Sequence, residues 1–342
     1  MEQRIGVLGG GSWGTALSVL LANKKMDVDI WLRDKDQLSQ IIIDRENKKY
    51  LPNIKLPLNI NLMDDIEKTI YKKNVILLSI PTHGVRETLE QIKPFITNEQ
   101  VIVNVAKGIE NKSLLRISEI ASEILPNNKF AVLSGPSHAE EVALNIPTTV
   151  VAASHHKAIA EYVQDLFFTP NFRVYTNPDI IGVELGGSLK NVIALAAGIS
   201  DGLDYGDNTK AALMTRGIFE MAKLGEEMGA NPITFSGLSG IGDLIVTCTS
   251  MHSRNRRAGI LIGSGKTMEE SVKEIGMVVE GIKTTKSTYE LAKKYKIDMP
   301  ITKELYKVLY EDANVREAVL HLMVRDRTHE MEDIVTDKNI KW

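Results

Sequence analysis

Between Leu185 and Ile199 the stretch ELGGSLKNVIALAAGIS (184–200) carries one charged side chain, Lys190. Gly186, Gly187, Lys190, Ala194, Ala197 and Gly198 recur at helical spacing, which sets small residues around a single amine. Burial disfavours an ammonium and draws its pKa toward neutrality. A lysine tuned in this way can act as a general acid or base. The competing reading is an amine that snorkels its tip into water. Asn191, the next residue, could hydrogen-bond a substrate hydroxyl. A second dense region is SGLSGIGDLIVTCTSMHSRNRRAG (236–259). Its glycines and small polar residues predict a tight turn close to a ligand, with Asp243 at the turn. Ser253, Arg254 and Asn255 fall where a new helix should begin, and helix N-terminal amides with an arginine form an oxyanion site. Arg256 and Arg257 fit a solvated basic face better.

Near the start, IGVLGGGSWGTAL holds Gly9-x-Gly11-x-x-Gly14 at the end of an apolar run and the opening of a helical one. In that setting Gly9 permits the turn, Gly11 lets a dinucleotide pyrophosphate approach the backbone, and Gly14 lets the helix pack closely. Ser12 and Trp13 lie inside the motif; Trp13 either covers the cofactor or packs. About twenty residues on, where an NAD site would carry an acidic residue, VDIWLRD presents Arg33 and then Asp34. Arg33 could fork onto the 2′-phosphate of NADP or pair with Asp34. NADP(H) is favoured and NAD(H) stays open. Two further strand ends are candidate rim loops. One carries Lys107-Gly108. The other carries Gly135-Pro136-Ser137, followed by a helix start with His138, Ala139, Glu140 and Glu141. Ser137 and the amides after it could take an oxygen-rich substrate or merely cap the helix.

Metal and nucleophile chemistry find little support. No His, Cys and carboxylate set has ligand spacing, and no Gly-x-Ser-x-Gly elbow occurs. The 342 residues suggest two domains, and the net charge of −3 gives no global basic footprint for nucleic acid. The single cysteine, Cys248, cannot form an internal disulfide, which fits a reducing compartment. The start MEQRIGVLGG is too short and too charged for a signal peptide, and no apolar run reads as a membrane span. A cytoplasmic protein without integral membrane association is expected. A homodimer is compatible with the apolar second half.

These residues need elements to position them. RIGVLGG, DVDIWLR, NVILLSI, VIVNVAK, FAVLSGP, TTVVAAS and FRVYTN read as strands, many separated by amphipathic helices. Alternation of this kind predicts a doubly wound, mostly parallel, Rossmann-like sheet over residues 1–180. Past TNPDIIG the strand signals fade. Helices are expected at 183–203, 209–229, 253–264, 280–295 and 300–322, making residues 181–342 an all-helical domain. The polar end RDRTHEMEDIVTDKNIKW reads as a loose tail. A dinucleotide, a tunable amine, a second lysine and an arginine-asparagine anion pocket point to hydride transfer on a phosphorylated alcohol or ketone.

GGGSWGTAL, WLRD, VAKGIE, LSGPSHAEE, ELGGSLKNVIALAAGISDGL, DNTKAALMTRG, GLSGIGDLIVTCTS, SRNRRAG and VVEGIKTT follow in order along nearly the whole chain. In these stretches it closely resembles the bacterial-type NAD(P)-dependent glycerol-3-phosphate dehydrogenases. The resemblance implies reversible reduction of dihydroxyacetone phosphate to sn-glycerol 3-phosphate, a precursor for membrane phospholipids. It implies that Lys190 gives and takes the proton and that Lys107 contacts both cofactor and substrate. It further implies Gly135, Ser137, Asp243, Ser253, Arg254 and Asn255 around the substrate. Ser12, Trp13, Arg33, Ala139, Arg254, Val278 and Glu280 would line the cofactor; Val278 and Glu280 come from the resemblance alone. Two rivals are a reductase for a non-phosphorylated hydroxy acid or keto acid, with Arg254 on the carboxylate, and a nicotinamide-sensing regulator, which would leave Lys190, Lys107 and Asp243 without a task.

Overall fold

The computed structural model describes residues 3–327, 329 and 330. Most of the expected tail, 331–342, lies outside the described residues. Eight strands form one sheet: β1 (Arg4–Leu8), β2 (Asp27–Trp31), β3 (Ile60–Met63), β4 (Val75–Leu78), β5 (Val101–Asn104), β6 (Phe130–Ser134), β7 (Thr148–Ala153) and β8 (Phe172–Asn177). Their order is β3-β2-β1-β4-β5-β6-β7-β8. All neighbours run parallel except β6 and β7, which are antiparallel. The central strands are apolar on both faces because both faces are covered. Successive side chains point to opposite sides. Val75 and Leu77 therefore join the core under helix Ser12–Asn23, while Ile76 and Leu78 join the core under helices Val85–Ile92 and Ile117–Ile124. The chain leaves β1 in one direction and returns to β4 on its other side. This reversal opens a crevice at the carboxyl ends of β1 and β4, where such sheets bind ligands.

β3 is absent from the strands read in the sequence. Its four residues follow a stretch punctuated by Pro52 and Pro57, which disguises it as loop. Arg45 holds that stretch in place by donating to the carbonyls of Leu56, Pro57 and Ile60.

After β8 the chain is helical. Helix Ile180–Gly202 starts on Asp179, whose carboxylate accepts from the Gly182 amide at 2.9 Å. It has the length and the mean hydropathy, 1.4, of a membrane span, contrary to the sequence expectation that no run qualifies. Its apolarity has a different use: 89% of the span-like window is buried, beneath helices Asp207–Glu227, Asp243–Thr249, Arg254–Gly263 and Glu280–Tyr295. Packing against Arg254–Gly263 is backbone on backbone. A Cβ on Gly259 would stand 2.2 Å from the Leu195 carbonyl, and one on Gly198 would stand 2.1 Å from that of Arg256. Gly259→Ala is expected to cost about 2–3 kcal/mol from overpacking, read as a lower urea midpoint at an unchanged slope.

Three helical expectations need correction. The 300–322 helix is two, Pro300–Tyr310 and Val315–Met323. Asp312 adopts φ 53° between them and Asn314 caps the second. Helix Met268–Ile275, opened by a Thr267/Glu270 capping box, was not foreseen. The turn around Asp243 is a π-helical turn, Leu238–Gly242, that runs directly into helix Asp243–Thr249. The two halves are tied by a buried ion pair. Arg116 lies 2.7 Å from Glu184, which also accepts from the Ser118 amide at 2.8 Å.

Candidate active site

Lys190 is 6% exposed, in the middle of helix Ile180–Gly202. Its Nζ lies 2.5 Å from Asp243 Oδ1 and donates to Thr247 Oγ1 at 2.7 Å. The other oxygen of Asp243 accepts from Lys107 Nζ at 2.6 Å. One carboxylate, 1% exposed, therefore holds two amines, one from each half of the chain. Lys107 stands just past β5 and also donates to the Gly135 carbonyl at 2.9 Å; Ser137 Oγ is 3.5 Å away. Gly135 adopts φ 132°, which turns that carbonyl toward the amine. Gly187 makes the approach possible: a Cβ there would meet Ser134 Oγ at 2.6 Å and the Lys107 stem at 3.5 Å. Burial, helped by the Lys107 charge and opposed by Asp243, brings the Lys190 pKa down to about 8. An ammonium has three donors. Lys190 spends two on Asp243 and Thr247, which leaves one N–H uncommitted.

The anion-pocket residues divide. Ser253 caps helix Arg254–Gly263, accepting from the Arg256 amide at 3.2 Å. Asn255 donates to Asn191 Oδ1 at 2.8 Å and accepts from the Gly281 amide at 2.8 Å. Asn191 and Asn255 thus hold each other beside Lys190, and the amide nitrogen of Asn191 is the group left to meet a ligand. Arg254 donates to the Val278 carbonyl at 3.0 Å and stands near enough to Glu280, Glu140 and Tyr50 to feel their charges. Glu280, raised in pKa mainly by burial, accepts from the Thr82 amide at 3.3 Å. Arg256 is not on a solvated face: it pairs with Asp201 at 2.7 Å. His138 and His252, one from each half, bring their rings to 5.5 Å. His138 Nε2 is buried with no hydrogen-bond partner among the described residues.

The glycine turn has a dinucleotide shape. Gly9 sits at φ 117°, where an added Cβ would lie 2.5 Å from the Ser79 carbonyl. Gly14 packs on Gly9, 2.1 Å from its carbonyl to the same hypothetical atom. Gly11 differs, because a Cβ there would meet nothing within 4 Å. Internal packing does not require a glycine at that position, whereas a pyrophosphate lying on the first amides of helix Ser12–Asn23 would. The residues present fit the cofactor. Ala139 begins a short helix packed on Ala16 and Leu51, beside partly buried Trp13. Trp13 packs against the core, and its Nε1 is buried with no partner among the described residues. The Arg33–Asp34 pair does not form: Asp34 caps helix Lys35–Asp44 and faces Lys49 at 3.5 Å. Among the described residues no three His, Cys, Asp or Glu side chains group as metal ligands, and burial raises the Cys248 thiol to about 12.

Residues 4–160 match the model for the N-terminal part of NAD-dependent glycerol-3-phosphate dehydrogenase, and residues 179–320 match the model for its C-terminal part. The chain belongs to the NAD-dependent glycerol-3-phosphate dehydrogenase family. It is 56% identical over 336 residues to glycerol-3-phosphate dehydrogenase [NAD(P)+] of Bacillus subtilis (strain 168), covering 97% of each chain. It is 54% identical to the enzyme of the same name from Thermoanaerobacter sp. (strain X514), covering 97% of this chain and 100% of that one. The crystal structure of glycerol-3-phosphate dehydrogenase from Coxiella burnetii superposes with a TM-score of 0.92 at 38% identity, over 95% of this chain and 99% of that one.

For this member of the glycerol-3-phosphate dehydrogenase family, sequence reasoning gathered the two lysines but cast Asp243 only as a substrate-lining residue. Its place between the amines had a signal. Asp243 is the only carboxylate between Glu227 and Glu269, and a buried ammonium needs one. Thr247, one helical turn on, was missed outright.

Proposed function

We propose that the chain interconverts dihydroxyacetone phosphate and sn-glycerol 3-phosphate with a nicotinamide cofactor, preferring NADP(H). The observation that carries the reading is the shared carboxylate of Asp243, which gathers Lys190 and Lys107 from the two halves and leaves one N–H of Lys190 unspent. Residues 1–180 serve as the cofactor-binding body and 181–342 as the helical body that closes the site. The bound cofactor supplies hydride at nicotinamide C4. Ser12, Trp13, Ala139, Val278 and Glu280 line its groove, and the turn at Gly9, Gly11 and Gly14 seats the pyrophosphate. Arg254, with Ser253, Asn255 and the amides of their helix, takes the substrate phosphate, while Gly135 and Ser137 flank the carbon skeleton. Fixing the phosphate aligns the C2 carbonyl before reaction. As C2 gains hydride its oxygen becomes an alkoxide, and the spare N–H of Lys190 gives it the proton. Lys107 offsets the developing charge. The reverse reaction needs the neutral amine, and a pKa of about 8 leaves both forms populated near neutral pH. NADP(H) preference draws support from Arg33, which has no carboxylate partner among the described residues.

The test is loss of nicotinamide absorbance on adding dihydroxyacetone phosphate, with NADPH and with NADH. Rapid oxidation, faster with NADPH at limiting cofactor, is the expected result. No oxidation with either, in protein that binds NADPH, would overturn the assignment. Dihydroxyacetone alone should be at least about a hundredfold poorer, because it forgoes the charge-assisted phosphate contacts.

A further inference from the structure

We propose that Lys283 and His83 complete, with Arg33, a subsite for the cofactor 2′-phosphate that is shared between the two halves of the chain. The inference rests on the NADP(H) reading above. Arg33 follows β2, the glycine turn follows β1, and His83 follows β4 in the turn Thr82–Gly84. These strands are consecutive in the sheet, so the three loops stand side by side at one edge, with the glycine turn in the middle. Lys283 reaches the same place from the helical half, in the first turn of helix Glu280–Tyr295, and its Nζ lies 3.0 Å from His83 Nδ1. Both Lys283 and Arg33 act electrostatically on His83, which brings the three groups into one cluster.

The cluster is poorly explained by folding alone. All three side chains are exposed, and among the described residues neither Arg33 nor Lys283 forms an ion pair. Asp34, the nearest acid in sequence to Arg33, is occupied by its cap and by Lys49. Glu280 feels Lys283, but its Oε1 is taken by the Thr82 amide. A cation in the first turn of a helix also opposes the macrodipole, which favours anions there. Three like-disposed groups that gain little from the protein suit a dianion brought from outside, and a guanidinium with an ammonium is well matched to a phosphate. The adenosine ribose of a dinucleotide lies at the tip of β2, so the dianion that reaches this place is the 2′-phosphate. The Thr82–Glu280 hydrogen bond alongside joins the two halves at this place, so a phosphate held by Arg33, His83 and Lys283 would contact both.

The test is calorimetric titration of the full chain with adenosine 2′,5′-bisphosphate and with 5′-AMP. Wild type should prefer the bisphosphate. Lys283→Gln should cut that preference about tenfold, the loss of one charge-assisted contact, and His83→Gln should cut it by a smaller factor. Lys283→Arg should retain most of it. If wild type shows no preference, the NADP(H) reading itself fails and this inference with it. If wild type prefers the bisphosphate and the ratio survives both Lys283→Gln and His83→Gln, the shared subsite is overturned while Arg33 alone carries the preference.

Discussion

Lys190→Ala is expected to lower kcat by about three orders of magnitude, with the Kd for NADPH changed less than about threefold. The size follows from what a positioned general acid contributes, roughly a hundredfold to ten-thousandfold, together with loss of the charge beside the carbonyl. Cofactor binding should survive because the glycine turn and Arg33 lie on the sheet, away from helix Ile180–Gly202. Steady-state rates and a fluorescence titration check both halves of the expectation, and near-normal turnover would sink the proton-transfer role. Lys190→Arg sharpens the test. An arginine keeps the charge but does not release its proton, so it should remain impaired in both directions. The wild-type pH profile carries the same signature. Reduction needs the ammonium, so its rate should fall as pH rises through about 8. Oxidation needs the amine and should rise over the same interval.

Asp243→Asn is expected to have the second largest effect. The carboxylate is the largest influence that raises the Lys190 pKa, against burial and the Lys107 charge. With it gone, the amine should lose its proton at lower pH, and the falling limb of the reduction profile should shift to lower pH by about one unit or more. Turnover at neutral pH should drop about a hundredfold, chiefly because the amine is no longer held in place and in lesser part because less of it is protonated. Breaking a buried pair also costs about 3–5 kcal/mol of stability, so rates belong with a thermal melt of the same sample. A variant that stays folded with its limb unmoved would show that Asp243 does not set the protonation of Lys190.

The residues explain how much of this was legible. Short apolar or β-branched runs exposed seven strands, most of them apolar on both faces and β8 alternating, and β3 escaped because its signal is four residues long beside two prolines. The long helices announced themselves through span and spacing. Met268–Ile275 did not, since its apolar stripe of Met268, Val272 and Ile275 spans only eight residues. Gly9, Gly11 and Gly14 could be read one by one from their setting; Gly9 has a positive φ, and a Cβ on Gly11 would meet nothing within 4 Å. Lys190 was visible as an anomaly in an apolar helix. Its partner was not, because Asp243 lies 53 residues away and only tertiary packing brings the two together. The same applies to Lys283, which reads as an ordinary surface lysine until His83 is seen 3.0 Å from it.

The burial of helix Ile180–Gly202 has a consequence for synthesis. On the ribosome the α/β half emerges first, and this helix follows at once. Its covers, Arg254–Gly263 and Glu280–Tyr295, are made later, the last of them roughly ninety residues on. At about 5–20 residues per second that interval lasts roughly 5–20 s. Throughout it a nascent chain displays a segment whose length and hydropathy match a membrane span. Lys190 near its centre makes the segment costlier to insert into a bilayer. The side chain proposed for proton transfer in the finished protein thus also raises the cost of inserting the unfinished one into a bilayer.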